Sequence, residues 1–160
     1  MKHTHPFVIF ACALLTGSSL SVHAQDDQSV YQGIVEKLIN TYCITCHTPE
    51  KKKGKLIMET YETLMKGGSS AKEGKQTVVP GKSADSLMYS QLVLPKDDDL
   101  HMPPSDKPQP TAKEIEVIKW WIDSGAKKET KISETNVPAD LKGIVAELAA
   151  KKVERPAPVK

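Results

Sequence analysis

Apolar side chains recur at helical spacing in several short stretches of the chain, and polar loops separate these stretches. Recurrence every three or four positions is typical of an amphipathic helix with one buried face. The pattern predicts helices over residues 29–42, 60–66, 83–92 and 111–124, and a weaker helix over residues 141–148. Lysine, glycine and proline are frequent between these helices, which favours exposed loops and turns.

The boundaries of the predicted helices carry their own signals. Thr60 and Ser83 stand where a side-chain oxygen can accept a hydrogen bond from the first turn of a helix. Thr111 and Glu114 have the spacing of a capping box, in which each side chain bonds to the backbone of the other residue. Gly125 stands where helices commonly end in a left-handed conformation. The helix between Thr111 and Gly125 is therefore the most clearly bounded of the set.

The first predicted helix runs directly into the most informative motif of the chain, Cys43-Ile44-Thr45-Cys46-His47. C-x-x-C-H is the attachment signature of a c-type haem. Each thiol can add to one haem vinyl group, and the histidine can bind the iron from the same side. On a helical turn, Cys43, Cys46 and His47 share one face. One short segment can thus hold the porphyrin edge and supply an axial ligand.

Two cysteines at this spacing also occur in zinc sites and in thiol–disulfide proteins. A structural zinc site normally needs four ligands. The candidates would be Cys43, Cys46, His47 and His101, and their spacing matches no common zinc ribbon. A redox pair would be expected after a strand of buried β-branched residues, which the sequence lacks. The haem interpretation is favoured, and both alternatives stay open.

The first 24 residues have the features of a secretory signal peptide. Lys2 gives a basic start, Phe7–Leu15 is a short apolar run, and Val22–Ala24 places small residues at the cleavage positions. The apolar run is shorter than the roughly 20 residues that a membrane-spanning helix needs. We therefore predict cleavage after Ala24, export to the periplasm, and a mature chain that does not span the membrane. Covalent haem attachment in bacteria follows export, so the two signals support each other.

Length and charge limit the organisation and the partners of the mature chain. Residues 25–160 are enough for one small domain. We predict a domain over residues 25–127, followed over 128–160 by a linker, a short amphipathic helix and a disordered C-terminal end. The full chain has 22 basic and 20 acidic side chains, of which only Lys2 lies in the predicted signal. This near balance argues against nucleic acid as a partner.

A haem iron held by one histidine needs a second axial ligand to act as a pure electron carrier, and methionine is a common choice. Met58, Met65 and Met88 lie on apolar faces of predicted elements, where core packing explains them. Met102 instead lies in a polar loop between His101 and two prolines. The prolines stiffen the backbone and limit the entropy lost on ligation. We predict Met102 as the second ligand, and His101 is its rival, which would give bis-histidine ligation.

In these motifs the chain resembles a class I c-type cytochrome, and in detail the planctomycete-type cytochrome c domain. The resemblance spans residues 30–127 and is carried by Cys43–His47, Lys53–Leu56, Gly67-Gly68, Val79–Gly81, Ser86–Tyr89, Met102–Pro104, Glu114 and Trp121–Ala126. It implies a small all-α, cytochrome c-like helical fold around one covalent haem, with the first and last helices crossing beside it. It also implies His47 and Met102 as the axial ligands of the iron.

Motif, export signal and resemblance together predict a periplasmic c-type cytochrome that transfers single electrons between redox partner proteins. Its cofactor is one haem c per chain, attached through Cys43 and Cys46. His47 and Met102 hold the iron, and the protein is a carrier rather than an enzyme. A first alternative is a haem enzyme, or a gas- or peroxide-responsive subunit, in which Met102 is labile. A second alternative is a thiol–disulfide protein that uses Cys43 and Cys46.

Overall fold

Helices form the regular secondary structure of residues 28–152, the part of the chain that the computed structural model describes. The α-helices are α1 (Glu36–Tyr42), α2 (Tyr61–Lys66), α3 (Leu87–Ser90), α4 (Ala112–Asp123) and α5 (Lys142–Ala150). A π-helical segment, Tyr31–Val35, leads directly into α1. Within this range no sheet forms, and the predicted all-α fold is confirmed. The predicted signal peptide, residues 1–24, and the predicted disordered C-terminal end lie outside the described residues.

The first predicted helix, 29–42, forms as the π-helical segment and α1 in succession. Near its start the Ser29 hydroxyl accepts a hydrogen bond from the Gln32 N–H at 3.1 Å, which satisfies one of the free donors of the first turn. Its buried apolar face consists of Ile34, Val35, Leu38 and Ile39. Each such side chain stabilises the fold by roughly 1.5–3 kcal/mol when it leaves water. The end of α1, and the motif that follows it, are thereby held against the core.

Two of the predicted helix boundaries are formed by capping boxes. The Thr60 hydroxyl accepts a hydrogen bond from the Thr63 N–H at 3.2 Å, and the Thr63 hydroxyl faces the Thr60 N–H in return. The Thr111 hydroxyl accepts from the Glu114 N–H at 3.2 Å, while the Glu114 carboxylate accepts from the Thr111 N–H at 2.8 Å. Gly125 has a φ of +97°, a conformation that glycine adopts without steric cost. These boundaries agree with the sequence signals.

The prediction of the third helix, over residues 83–92, is wrong in both the start and the length of the helix. Residues 83–92 divide into a 3-10 turn at Ser83–Asp85 and the four-residue α3. Ser83 lies inside this turn rather than at its N-cap, which is Lys82, and the Ser83 N–H donates to Oδ1 of Asp123 at 2.9 Å. The break occurs at Ser86, which is extended and fully buried. Its hydroxyl donates to the Lys82 carbonyl at 2.8 Å, and this local bond competes with continuous helix.

The core lies between the first helical segment, α4 and α5. Its buried apolar members include Leu64, Val78, Val117, Ile118, Ile122 and Leu92. Trp121 is 2% exposed and its ring lies 5.8 Å from that of Tyr31, centroid to centroid. Trp120, the next residue along the helix, is only partly buried, as expected for adjacent positions that point about 100° apart. The tryptophan that packs on the first helix is therefore Trp121.

The segment beyond residue 127 folds back onto this core. Leu141, Val145 and Leu148 are each less than 5% exposed and belong to the same cluster of buried side chains. The Nζ of Lys37 donates hydrogen bonds to the carbonyl oxygens of Leu148 and Ala149, at 2.8 and 2.9 Å. The helix of the tail is thus docked in this structure, while the division of the chain at residue 127 stays a prediction.

None of the helices in residues 28–152 is long and apolar enough to cross a membrane. The longest, α4, has 12 residues, against the roughly 20 that a bilayer core requires.

Candidate functional site

The Cys-x-x-Cys-His motif forms a helical turn at the end of α1. The Cys43 N–H donates to the Ile39 carbonyl at 2.8 Å, so the chain is still helical when it reaches the motif. The N–H groups of Cys46 and His47 both donate to the Cys43 carbonyl, at 3.1 and 3.2 Å. These bonds span three and four residues, the spacing at which side chains lie on one face of a helix. By this spacing, Cys43, Cys46 and His47 are expected on one face of a single turn.

The loop after the motif folds back and bonds to it. The Met58 N–H donates to the His47 carbonyl at 2.8 Å, and the Lys53 N–H donates to the Cys46 carbonyl at 3.2 Å. The four lysines of this loop, Lys51, Lys52, Lys53 and Lys55, are exposed. The backbone of the motif is thus held on its N-terminal side by α1 and on its C-terminal side by this basic loop.

The two cysteines are free thiols and partly buried. Burial, with a smaller contribution from the neighbouring Cys46, raises the pKa of the Cys43 thiol to about 12. A thiol of this kind is almost entirely protonated at neutral pH, whereas thiol–disulfide exchange needs the thiolate. The local environment therefore does not activate Cys43 for redox chemistry of its own, and it leaves both sulfurs available for covalent attachment.

The ring of His47 is partly buried, and one of its nitrogens lacks a hydrogen-bond partner. Its Nδ1 is buried and has no hydrogen-bond partner. Burial lowers the pKa of His47, and nearby backbone groups of Leu56 and Lys53 offset this only in part. The neutral imidazole is the form that binds a metal ion. A buried ring nitrogen without a partner costs free energy, so the residue fits a site at which the imidazole has a further ligand to bind.

Met102 differs from the other methionines in its surroundings. Met58 and Met88 are 4% and 8% exposed and belong to the core, and Met65 packs against it. Met102 is partly buried and lies outside this cluster, in the loop that joins α3 to α4. Its N–H donates to the Gln91 carbonyl at 3.1 Å, which ties the loop to the end of α3. Packing explains the first three methionines and leaves the thioether of Met102 without a role in the core.

His101, the residue before Met102, uses both ring nitrogens within the same loop. The side chain is 5% exposed. Its Nδ1 lies 2.9 Å from the Leu94 carbonyl oxygen, and its Nε2 lies 2.9 Å from Oε1 of Gln109. The doubly protonated ring donates to both oxygens, and the neutral ring donates to one of them. Both nitrogens face protein oxygens, an arrangement that favours a structural contact over an iron ligand.

The far end of this loop carries an exposed ion pair. Nζ of Lys107 donates to Oδ2 of Asp106 at 2.8 Å. This contact lowers the pKa of Asp106 and raises the pKa of Lys107.

A hydrogen bond that the sequence does not reveal ties the motif helix to α4. The Tyr42 hydroxyl, next to Cys43, donates to the carboxylate of Glu114 at 3.0 and 3.2 Å from its two oxygens. The sequence marks Glu114 as part of a capping box with Thr111 and of the family resemblance, but not as a partner of Tyr42. The same carboxylate also accepts from the Thr111 hydroxyl at 2.9 Å. Glu114 therefore links the start of α4 to the end of α1, just before the motif.

The donor set at the motif fits a c-type haem better than a zinc ion. Within residues 28–152, no group of three or more His, Cys, Asp or Glu side chains is arranged to hold a metal ion. The four-ligand zinc site with His101 is accordingly not assembled. Two free thiols on one turn and an imidazole with an unpartnered nitrogen are the groups that two thioether bonds and one axial bond would use.

Comparison with known proteins identifies the same segment. A family model described as Planctomycete cytochrome C matches residues 43–106. The matched segment begins at the first cysteine of the motif and includes Met102. No curated protein and no solved structure gave a significant match. The resemblance to the planctomycete-type cytochrome c domain, a domain of the c-type cytochromes, is therefore confirmed over residues 43–106.

Proposed function

We propose that the protein is an exported, periplasmic electron carrier with one covalent haem c, in which His47 and Met102 hold the iron. The observation that carries the proposal is the hydrogen-bonded turn at the end of α1 that contains Cys43, Cys46 and His47 at helical spacing. The family match over residues 43–106 supports the same cofactor. The features of a signal peptide in residues 1–24 support export.

Each residue has a separate task in this proposal. When bound, the haem supplies a one-electron change between ferric and ferrous iron. Cys43 and Cys46 fix the porphyrin edge through thioether bonds, so the cofactor cannot dissociate. His47 supplies a neutral imidazole, a form that its burial favours. Met102 supplies a thioether from the loop between α3 and α4, and such a ligand raises the reduction potential.

Met102 is a better candidate than His101 for the second axial position. Both nitrogens of His101 face oxygens of its own loop at 2.9 Å, and ligation would require at least one of these contacts to break. Met102 has no competing contact in the core cluster.

The two alternative functions have less support. A thiol–disulfide protein needs a thiolate, and burial raises the pKa of Cys43 to about 12. A haem enzyme or a responsive subunit needs Met102 to leave the iron and polar groups to act in its place. The polar side chain nearest in sequence, His101, is occupied on both ring nitrogens. These observations favour a carrier with two fixed axial ligands.

Absorption spectra of wild type and Met102→Ala test the axial ligation. The protein is made in a host that attaches c-type haem and is measured oxidised, reduced, and reduced with carbon monoxide. We expect wild type to show the far-red sulfur-to-iron band and to bind no carbon monoxide. Met102→Ala should lose the band and bind carbon monoxide readily, because its sixth position has no thioether.

Met65→Ala is the matched control, since Met65 is also partly buried but packs against the core. It should keep the band. Ready binding of carbon monoxide by wild type would reject the carrier and favour the enzyme or responsive subunit. A far-red band that survives in Met102→Ala would reject Met102 as the ligand.

A further inference from the structure

We propose that Gln109 is a positioning residue, which holds the loop between α3 and α4 so that Met102 stays on the iron. The inference rests on the proposed function, since it assumes that Met102 is an axial ligand. It concerns a residue that has no motif around it in the sequence, where Gln109 stands between two prolines in a polar loop.

The carboxamide of Gln109 is the centre of a hydrogen-bond network inside this loop. Its Nε2 lies 3.0 Å from each of the carbonyl oxygens of Pro103, Pro104 and Lys107. Its Oε1 lies 2.9 Å from Nε2 of the buried His101. The three carbonyl contacts fix which end of the amide is the donor, because carbonyls accept only. One side chain therefore bonds to residues on both sides of Met102.

The backbone of Met102 is consequently held from three directions. Its own N–H donates to the Gln91 carbonyl at 3.1 Å. The preceding residue, His101, is anchored by Leu94 and Gln109. The following residue, Pro103, is buried and its carbonyl accepts from Gln109. No residue from Leu94 to Gln109 belongs to the main apolar core cluster. Hydrogen bonds to Gln109, rather than packing within that cluster, therefore restrain this part of the loop.

Loss of this restraint should appear as easier replacement of Met102 by another ligand. An added ligand binds only to molecules in which Met102 has left the iron, so its apparent affinity scales with the population of that open state. Removal of the Gln109 bonds favours the open state over the closed one. By contrast, a side chain that only stabilised the fold as a whole would change global unfolding and leave this competition unaltered.

Titration of the ferric holoprotein with imidazole, followed through the far-red band, measures the competition. Gln109→Leu keeps the size of the side chain but removes its donors and its acceptor. We expect it to bind imidazole at least roughly tenfold more tightly than wild type, since one or two of the four lost hydrogen bonds already account for that factor. His101→Phe should change the affinity in the same direction, since it breaks the contact with Oε1 of Gln109 and the one with Leu94.

Gln32→Leu is the matched control, because it makes the same replacement of glutamine by leucine. Gln32 is exposed on the π-helical segment and lies far from this loop in sequence. It should leave the imidazole affinity unaltered. Should Gln109→Leu not retain its fold, Gln109→Asn shortens the side chain with less disturbance and should give a change of the same sign.

The outcomes separate the two proposals. A wild-type protein without the far-red band overturns both, since Met102 is then no ligand. A wild-type protein with the band, together with unaltered imidazole affinity in Gln109→Leu and His101→Phe, overturns only the positioning role. Equal shifts in Gln109→Leu and Gln32→Leu would also overturn it, because the effect would then not depend on the loop.

Discussion

At the residue scale, the chemistry of the motif depends on its position at the end of a helix. Cys43, Cys46 and His47 are brought to one side by backbone hydrogen bonds of 3.1 and 3.2 Å to a single carbonyl. The preceding residue, Tyr42, adds a side-chain bond to Glu114 on α4. The motif is thus fixed by its own turn and by a polar contact to the last helix before the tail.

Tyr42→Phe should lower the free energy of unfolding by about 1–2 kcal/mol, since it removes a hydrogen bond to a carboxylate. Burial raises the pKa of Tyr42 from 10.0 to about 12, and the bond to Glu114 contributes to this. A group whose pKa is raised by folding contributes stability below its unfolded pKa and loses it as the pH rises through the folded pKa.

The stability difference between wild type and Tyr42→Phe should therefore be complete below pH 10.0 and diminish toward pH 12. Denaturant unfolding of the holoprotein at a series of pH values measures this difference. A difference that stays constant up to pH 12 would show that the Tyr42 hydroxyl does not bond to Glu114 in the folded protein.

Sequence reasoning singled out candidate site residues that are marked by spacing, and it did not point to Gln109, whose hydrogen bonds go to the backbone of its loop and to His101. Cys43, Cys46 and His47 are conspicuous because the covalent chemistry demands a fixed interval. Gln109 has no such interval, because its partners are carbonyl oxygens, which every residue has. The role proposed for Gln109 depends on how the loop folds, and the residue type alone does not predict that fold. Met102 is an intermediate case, found because a methionine in a polar loop lacks a packing reason.

At the element scale, helix boundaries were predictable where the cap is local. Thr111 forms the capping box that its sequence indicates, and Thr60, predicted as a cap, forms a capping box with Thr63. Ser83 does not cap a helix, because the chain breaks at Ser86, whose hydroxyl bonds to the Lys82 carbonyl. That bond competes with the helix through a contact four residues back. A serine side chain can bond to the nearby backbone in a helix or in a turn. The sequence pattern alone therefore does not show which of the two forms at Ser86.

The docking of α5 rests on a lysine that the sequence places in the first helix. Lys37 is 9% exposed, and its Nζ donates to the last carbonyls of α5. A positive charge at the C-terminal end of a helix is also favoured by the helix dipole. Burial lowers the pKa of Lys37, so this contact gives up part of the solvation of the ammonium in exchange for two hydrogen bonds.

Lys37→Met should lower the free energy of unfolding by about 1–3 kcal/mol, because it leaves two buried carbonyls without their charged donor. Lys66→Met is the control, since Lys66 is exposed at the end of α2, and it should change stability by no more than about 0.5 kcal/mol. Thermal or denaturant unfolding of both variants gives the comparison. Equal stabilities of the two variants would show that α5 is not anchored by Lys37.

At the scale of the whole molecule, the periodicity of the sequence predicted the helices and the family resemblance implied the all-α fold, but neither predicted the arrangement of the tail. The amphipathic pattern of residues 141–148 is compatible with docking or with binding to a partner. In the structure Leu141, Val145 and Leu148 join the core between the first helical segment and α4. Whether this helix docks depends on contacts between residues more than 100 positions apart in the chain, such as Lys37 and Leu148. Local sequence patterns do not encode such contacts.

The proposed haem site combines two separate parts of the chain. The motif follows α1, and the loop of Met102 precedes α4, so the elements that flank the proposed site are those that pack in the core. A site of this kind depends on the fold as a whole rather than on the motif alone.

The most direct test of the account is the intact mass of the purified protein under denaturing conditions, after expression in a host that attaches c-type haem. We predict a chain that begins at residue 25 and carries the mass of one haem. The double variant Cys43→Ala/Cys46→Ala should have the mass of the bare chain. A wild-type protein without the added haem would contradict the central claim, and it would return Cys43 and Cys46 to the thiol–disulfide alternative.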